Sequence, residues 1–217
     1  MNTKDFRKLI RVYFASKLHE AGFIGTDHHF VKTTDNHFIY TLVIQADKSG
    51  GSCVMEMGVH LEFLPNSIGE FKSSNEITTY DCEFRKRINK KENLFKRFFT
   101  VEREKWFQYG ETEEDTIVTI NEMKQLFLDQ GMSYFSQFND FPRMITSISL
   151  AEIIARSKKI EDFGAPLDLR LVLLIARTHK FLGNDRDAKE YAQWGLNNIG
   201  KATGLIKDFE AIGRGNL

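Results

Sequence analysis

Hydrophobic residues recur along this chain with two different periods, and the change from one to the other sets the expected architecture. Over residues 4–21, Phe6, Leu9, Ile10, Tyr13, Phe14 and Leu18 fall three or four apart and line one face of an amphipathic helix. Thr3 is the expected N-cap, and Gly22 stands where a left-handed C-cap residue belongs. Beyond Gly22 the period shortens to two. A short segment near 23–33 passes through the turn-forming Thr34-Asp35-Asn36 into Phe38–Ile44. After a Lys48–Ser52 loop, Cys53, Met55, Met57, Val59, Leu61 and Phe63 alternate with Val54, Glu56, Gly58, His60 and Glu62. That alternation predicts one buried face, with most of the polar set turned to water. A fourth strand is expected around residues 76–87. Short connections favour antiparallel pairing, because a parallel pair needs a long crossover.

From about Glu111 the helical period returns. Thr112 with an acidic first turn reads as a helix start, Ile117, Ile120, Met123 and Phe127 continue the pattern, and Asp129-Gln130-Gly131 reads as its stop. A shorter helix is expected over 132–138. The last third is helical in pattern, with Pro166 at a first-turn position, a break at Gly183-Asn184-Asp185 and a frayed tail from Gly213. The expected fold class is α+β: an N-terminal helix on an antiparallel sheet of about four strands, followed by a helical C-terminal region. The expected division is an α+β domain over 1–140 and a helical region over 141–217 packed against it.

Two segments resemble known families. The opening helix ending in Gly22-Phe23, the strand Phe30-Val31-Lys32, the strand ending Ile44-Gln45, Met57-Gly58-Val59 and Cys82–Ile88 follow one another over residues 4–95. Their order resembles a bacterial family of domains of unknown function, numbered four-three-zero-four. The resemblance implies a small α+β domain and no established activity. Over Leu169–Ala202, Ala176, Gly183, Ala188 and Gly195 resemble one tetratricopeptide hairpin, with small residues where helices touch and glycine at the turn. His179 and Trp194 depart from that pattern, and an ordinary helical hairpin is the other reading of the segment.

Composition narrows the class. Lys+Arg and Asp+Glu both number 30, so no global field draws the chain to nucleic acid or acidic membrane. A 41% hydrophobic content with 19 phenylalanines supplies a core. The longest apolar run, Leu171–Ala176, is far below the ~20 residues of a membrane span. A charged N-terminus and two cysteines fit a cytoplasmic protein without disulfides.

Candidate chemistry is sparse. His28 and His29 adjoin on a predicted strand and point apart; one of them with His37 and His60 across neighbouring strands could form a metal site, with Asp27 or Glu62 contributing oxygen. It lacks a recognised ligand spacing, so no metal is expected and strand or turn histidines are the default. Cys53 and Cys82 are expected as buried free thiols on predicted strands that can lie beside one another. Glu56 and Glu62, on one strand face but separated by about 20 Å, are too far apart to cooperate. No nucleophile elbow, phosphate-binding loop or dinucleotide motif occurs, and neither a catalytic residue nor a cofactor is expected. The stretch 84–107 stands out. Arg85, Lys86, Arg87, Lys90, Lys91, Lys96, Arg97, Arg103 and Lys105 outnumber Glu92, Glu102 and Glu104 by six, with Phe84, Phe95, Phe98, Phe99, Trp106 and Phe107 threaded between them. Such a mixture suits an anionic ligand or single-stranded nucleic acid, with Arg85, Arg87, Lys90, Lys96 and Arg97 as the candidate contacts. The acidic stretch 108–129 opposes that field if it packs nearby. The leading expectation is a non-enzymatic interaction protein that meets another protein through its C-terminal helices; an anionic-ligand binder and an enzyme with scattered residues are the alternatives.

Overall fold

The computed structural model describes residues 1–66, 68–88 and 106–214. The first helix, α1 (Thr3–Tyr13), starts one residue earlier than expected: Asn2, not Thr3, is the cap, its side-chain oxygen accepting from the Asp5 N–H at 2.9 Å. The continuous 4–21 helix is instead broken at Phe14, whose ring sits between Phe30 and Phe127 in the core, and resumes as α2 (Ala15–Glu20). Gly22, at φ 85°, ends it as expected. Its N–H reaches the His19 carbonyl and the Phe23 N–H reaches that of Leu18, both at 2.9 Å.

An antiparallel sheet follows: β1 (Ile24–Gly25), β2 (His29–Thr33), β3 (Phe38–Ala46), β4 (Ser52–Leu61), β5 (Phe84–Ile88) and β6 (Phe107–Gln108). Spatial order follows chain order through β5, and β6 pairs with the start of β4. The four longer strands are those the period-2 pattern indicates; β1 and β6 are two-residue additions. The fourth strand is shorter than expected, because residues 76–83 belong to a strap that crosses the sheet.

That strap corrects the largest expectation about the sheet. One face carries Phe38, Tyr40, Leu42 and Ile44 of β3 with Cys53, Met55, Met57 and Val59 of β4, and packs into the main core against the helices. The other face does not meet water. Glu56, Gly58 and His60 are buried as fully as their neighbours, and Val31, Ile39, Ile77 and Cys82 form a second apolar cluster beneath residues 64–83.

The helical half begins with α3 (Glu113–Leu126), capped by Thr112 as expected. Asp129-Gln130-Gly131 does not stop it. Residues Phe127–Gly131 form a π-helical turn that passes directly into α4 (Met132–Phe135), with Gly131 pressed against the Phe127 ring and Met57. Short helices α5 (Arg143–Thr146), α6 (Leu150–Ile154) and α7 (Lys158–Asp162) lead to α8 (Asp168–Phe181). Pro166 lies two residues before α8 rather than in its first turn. α9 (Asp185–Asn197) pairs with α8 as a hairpin, and α10 (Ile206–Arg214) closes it, its Phe209 ring filling the space a side chain on Gly195 would need. One continuous apolar cluster runs from Phe6 to Ile212. The outer edge of β5 is closed rather than left open for pairing, since the Arg85 N–H donates to the Gly164 carbonyl at 2.9 Å.

Gly58 is where the strap and sheet meet most closely. A Cβ there would lie 2.6 Å from the Cys82 sulfur and 2.7 Å from the Thr41 hydroxyl. Gly58→Ala is therefore expected to destabilise the fold by about 2 kcal/mol through overpacking, read as a lower urea midpoint at unchanged m.

Candidate functional site

The strap is held by a buried carboxylate. Asp81 accepts from Lys72 Nζ at 2.6 Å, the Asn66 side-chain amide at 3.0 Å, and the Thr78 N–H and hydroxyl at 2.9 and 2.8 Å. Burial pushes this carboxyl up, but the four donors outweigh that effect and hold it at about 2. Asn66 works in both directions, its own side-chain oxygen accepting from the Ile68 and Glu70 N–H groups at 3.0 and 2.9 Å. The loop tip 66–70 is thereby fixed to the strap's interior. Beside it, the Nε2 of His60 donates to the Leu64 carbonyl at 3.1 Å, while the Thr79 hydroxyl is buried without a hydrogen-bond partner among the described residues. Burial lowers the His60 pKa and favours the neutral ring.

Of the residues expected to bind anions, Arg85 and Arg87 lie among those described; Lys90, Lys96 and Arg97 lie outside the described residues. Arg85 is committed. Its Nη2 and Nε meet Glu56 Oε1 at 2.7 and 3.2 Å, and its guanidinium lies 5.2 Å from the Tyr80 ring centre. Arg87 stands opposite Glu56 in the strand register. Lys86 donates to the Asp162 carbonyl at 3.0 Å, and with Arg87 it lines a cleft of about 280 Å³ that also holds Asp129, Gln130 and Ser133. An acidic residue of the 108–129 stretch therefore faces two of the cations. Phe84 and Phe107 are core side chains; Phe95, Phe98 and Phe99 lie outside the described residues.

The histidines are dispersed among separate partners. His28 hydrogen-bonds Asp27, His29 donates to the Ile77 carbonyl at 2.9 Å, and His37 meets Glu62 at 2.6 Å among the rings of Phe63, Phe141 and Phe181. His60 is buried rather than exposed. Among the described residues, no group of three or more His, Cys, Asp or Glu is placed to hold a metal ion. Cys53 and Cys82 are buried but are not neighbours. Cys53 lies 3.7 Å from the Met123 sulfur in the main core, and Cys82 lies under the strap in the turn before β5; burial raises both thiols to about 12. Glu56 and Glu62 have the separate partners already named.

A broad concavity lies on the C-terminal helices. Leu167, Leu169, Trp194, Ala202 and Leu205 line a groove of about 790 Å³, with Arg156, Asp168, Arg170 and Asn198 among its polar residues. Leu167 is 76% exposed. Arg156 holds a left-handed backbone, φ 42°, uncommon for a residue with a side chain, and its guanidinium reaches Asp168 at 2.6 Å across the groove's rim. A smaller cleft of about 70 Å³ adjoins it, sharing Arg170 and Leu205 and reaching Pro65, Asn66 and Gly69 of the loop tip. Among the described residues, no helix is long and apolar enough to cross a membrane.

A family model described as a domain of unknown function, DUF4304, matches residues 14–137, more than half of the chain. The chain belongs to this family. The DUF4304 segment begins at Phe14 and takes in the six described strands, the strap, α3 and α4, extending past the 4–95 span that the sequence motifs indicated. It ends before α5, so the groove's own residues lie beyond the DUF4304 match. No curated protein and no solved structure matches the chain.

Sequence reasoning missed two things here. The groove is built from α8, α9 and the segments before and after them, and its only local signal is an unpartnered Leu167 before a helix. The Asp81 cluster had a clearer trace in Thr78-Thr79-Tyr80-Asp81, a turn composition inside an expected strand. Its effect is measurable. A carboxyl held at about 2 in the fold and at 3.8 otherwise contributes stability that is fully present above pH 5 and is lost as pH falls toward 2. Comparing urea stability at pH 5 and pH 2, the wild type is expected to lose about 2 kcal/mol more than Asp81→Asn does.

Proposed function

We propose that this chain is a non-enzymatic protein-interaction module whose C-terminal groove receives a segment of a partner protein bearing two large apolar side chains and an acidic group. The observation that carries this reading is the groove itself: Leu167, Leu169, Trp194 and Leu205 gather in one concavity, with Leu167 left almost wholly to water. Aromatic and aliphatic anchors in a concave seat are where binding energy between proteins concentrates. The arginines at the rim, Arg156 and Arg170, each already hold one carboxylate but have donors to spare for a second. The resemblance of Leu169–Ala202 to a tetratricopeptide hairpin supports the same use of these helices.

The chemistry elsewhere favours binding over catalysis. Asp81 is saturated by structural donors, Glu56 is bound to Arg85, and both thiols are pushed to about 12, where thiolate is scarce. These buried ionisable groups stabilise the sheet and strap.

A selection of displayed peptides against the whole chain tests the reading. Enriched sequences are expected to share two large apolar positions, and Leu167→Asp or Trp194→Ala should weaken their binding about tenfold or more. Leu167 is exposed, so its substitution leaves the fold intact, which circular dichroism checks. Peptides that bind both variants as well as the wild type, or selections that return no apolar motif, overturn the groove as the site.

A further inference from the structure

The loop tip beside the groove has the features that the groove's occupant needs. Ile68 and Phe71 are 73% and 72% exposed, with the exposed Glu70 between them. Large side chains at a tip usually collapse onto a surface or move freely. Ile68 sits in a braced turn, and Phe71 directly follows Glu70, the last hydrogen-bonded residue of that turn. The Asn66 N–H meets the Glu70 carbonyl at 2.8 Å and the Gly69 N–H meets the Asn66 carbonyl at 3.0 Å. Buried Asn66 also accepts from two tip N–H groups and donates to Asp81. Ordering a loop before it binds removes much of the entropy cost of binding. Two exposed apolar side chains on a hydrogen-bonded tip are an arrangement suited to docking.

The tip and the groove share one face. Gly69 of the tip and Arg170 and Leu205 of the groove line the same small cleft between them. A protrusion and a matching hollow side by side form a self-complementary surface. An isologous dimer needs such a self-complementary face, on which each copy's tip meets the other's groove.

Resting on the groove reading above, we infer that the occupant is a second copy of this chain: Ile68 and Phe71 of one copy enter the groove at Leu167 and Trp194 of the other, and Glu70 meets Arg156 and Arg170. The tip carries the exposed carboxylate of Glu70; the rim arginines, each paired with one carboxylate (Arg156 with Asp168, Arg170 with Glu83), have N–H donors left for a second, and a chain of zero net charge does not repel its own copies. A stable dimer needs about 600–1,000 Å² from each copy, under a tenth of the 12211 Å² surface.

The test is a sedimentation-velocity concentration series on the full chain, the tip variant Ile68→Asp/Phe71→Asp, the groove variant Leu167→Asp/Trp194→Ala, and an equimolar mixture of the two. The wild type is expected to sediment as a dimer and each variant alone as a monomer. In the mixture, which keeps one intact tip and one intact groove, dimer should return in part. Recovery by mixing is something a folding defect cannot produce. A monomeric wild type throughout the series overturns self-pairing and leaves the groove reading to the peptide selection. A dimer that survives the groove substitutions but not the tip substitutions overturns the groove as the seat, and a dimer that survives both overturns the face altogether.

Discussion

Because both faces of β4 are covered, the chain must satisfy a carboxylate and an imidazole where water does not reach. An unpaired charge in such a place costs several kcal/mol, so each group dictates a neighbour. Glu56 requires Arg85 on the adjoining strand. His60 takes the carbonyl of Leu64, the point where the chain leaves β4 and begins to cross the sheet. The strap then brings its own buried charge, Asp81, which is stable only because Lys72, Asn66 and Thr78 converge on it. One segment thus covers the second face and brings the donors for its own buried charge, while Arg85 of β5 answers Glu56.

The consequences reach the molecular surface. Asn66 stands between Asp81 and the loop tip, so the buried carboxylate also braces Ile68 and Glu70 at the exterior. On the other side, Glu83 at the end of the strap pairs with Arg170 of α8 at 2.6 Å, and Gly164 closes the edge of β5. The C-terminal helices are thereby fixed to the strap as well as to the main core. Tip and groove are thus joined through the same strap.

Much of this could be read from the residues. Thr112, Gly22 and the alternation of β3 and β4 indicate their elements directly, because caps and periodicity are local. The second layer could not be read in the same way. On a strand, Glu56 and His60 alternating with Met55, Met57 and Val59 look alike whether the polar face meets water or a strap, since the partner that decides lies 29 residues away at Arg85. The Asp129-Gln130-Gly131 stop was misread for a similar reason. Glycine at 131 is required by the approach of Phe127 and Met57 rather than by a turn, and tertiary packing carries the helix through. The candidate anion contacts were chosen by composition, which counts charges but cannot see that Glu56 already holds Arg85. The groove, drawn from several separate segments, has no contiguous sequence for a motif to mark.

The two cysteines report on the two layers separately, Cys53 from the main core and Cys82 from beneath the strap. Labelling of both thiols under native conditions, resolved by mass spectrometry, is the most direct measurement. If the strap is an integral layer of the fold, both sulfurs label slowly and at one common rate, that of global unfolding. Rapid labelling of Cys82 while Cys53 stays protected would mean that the strap lifts on its own, and the account of a sheet sealed on both faces would be wrong.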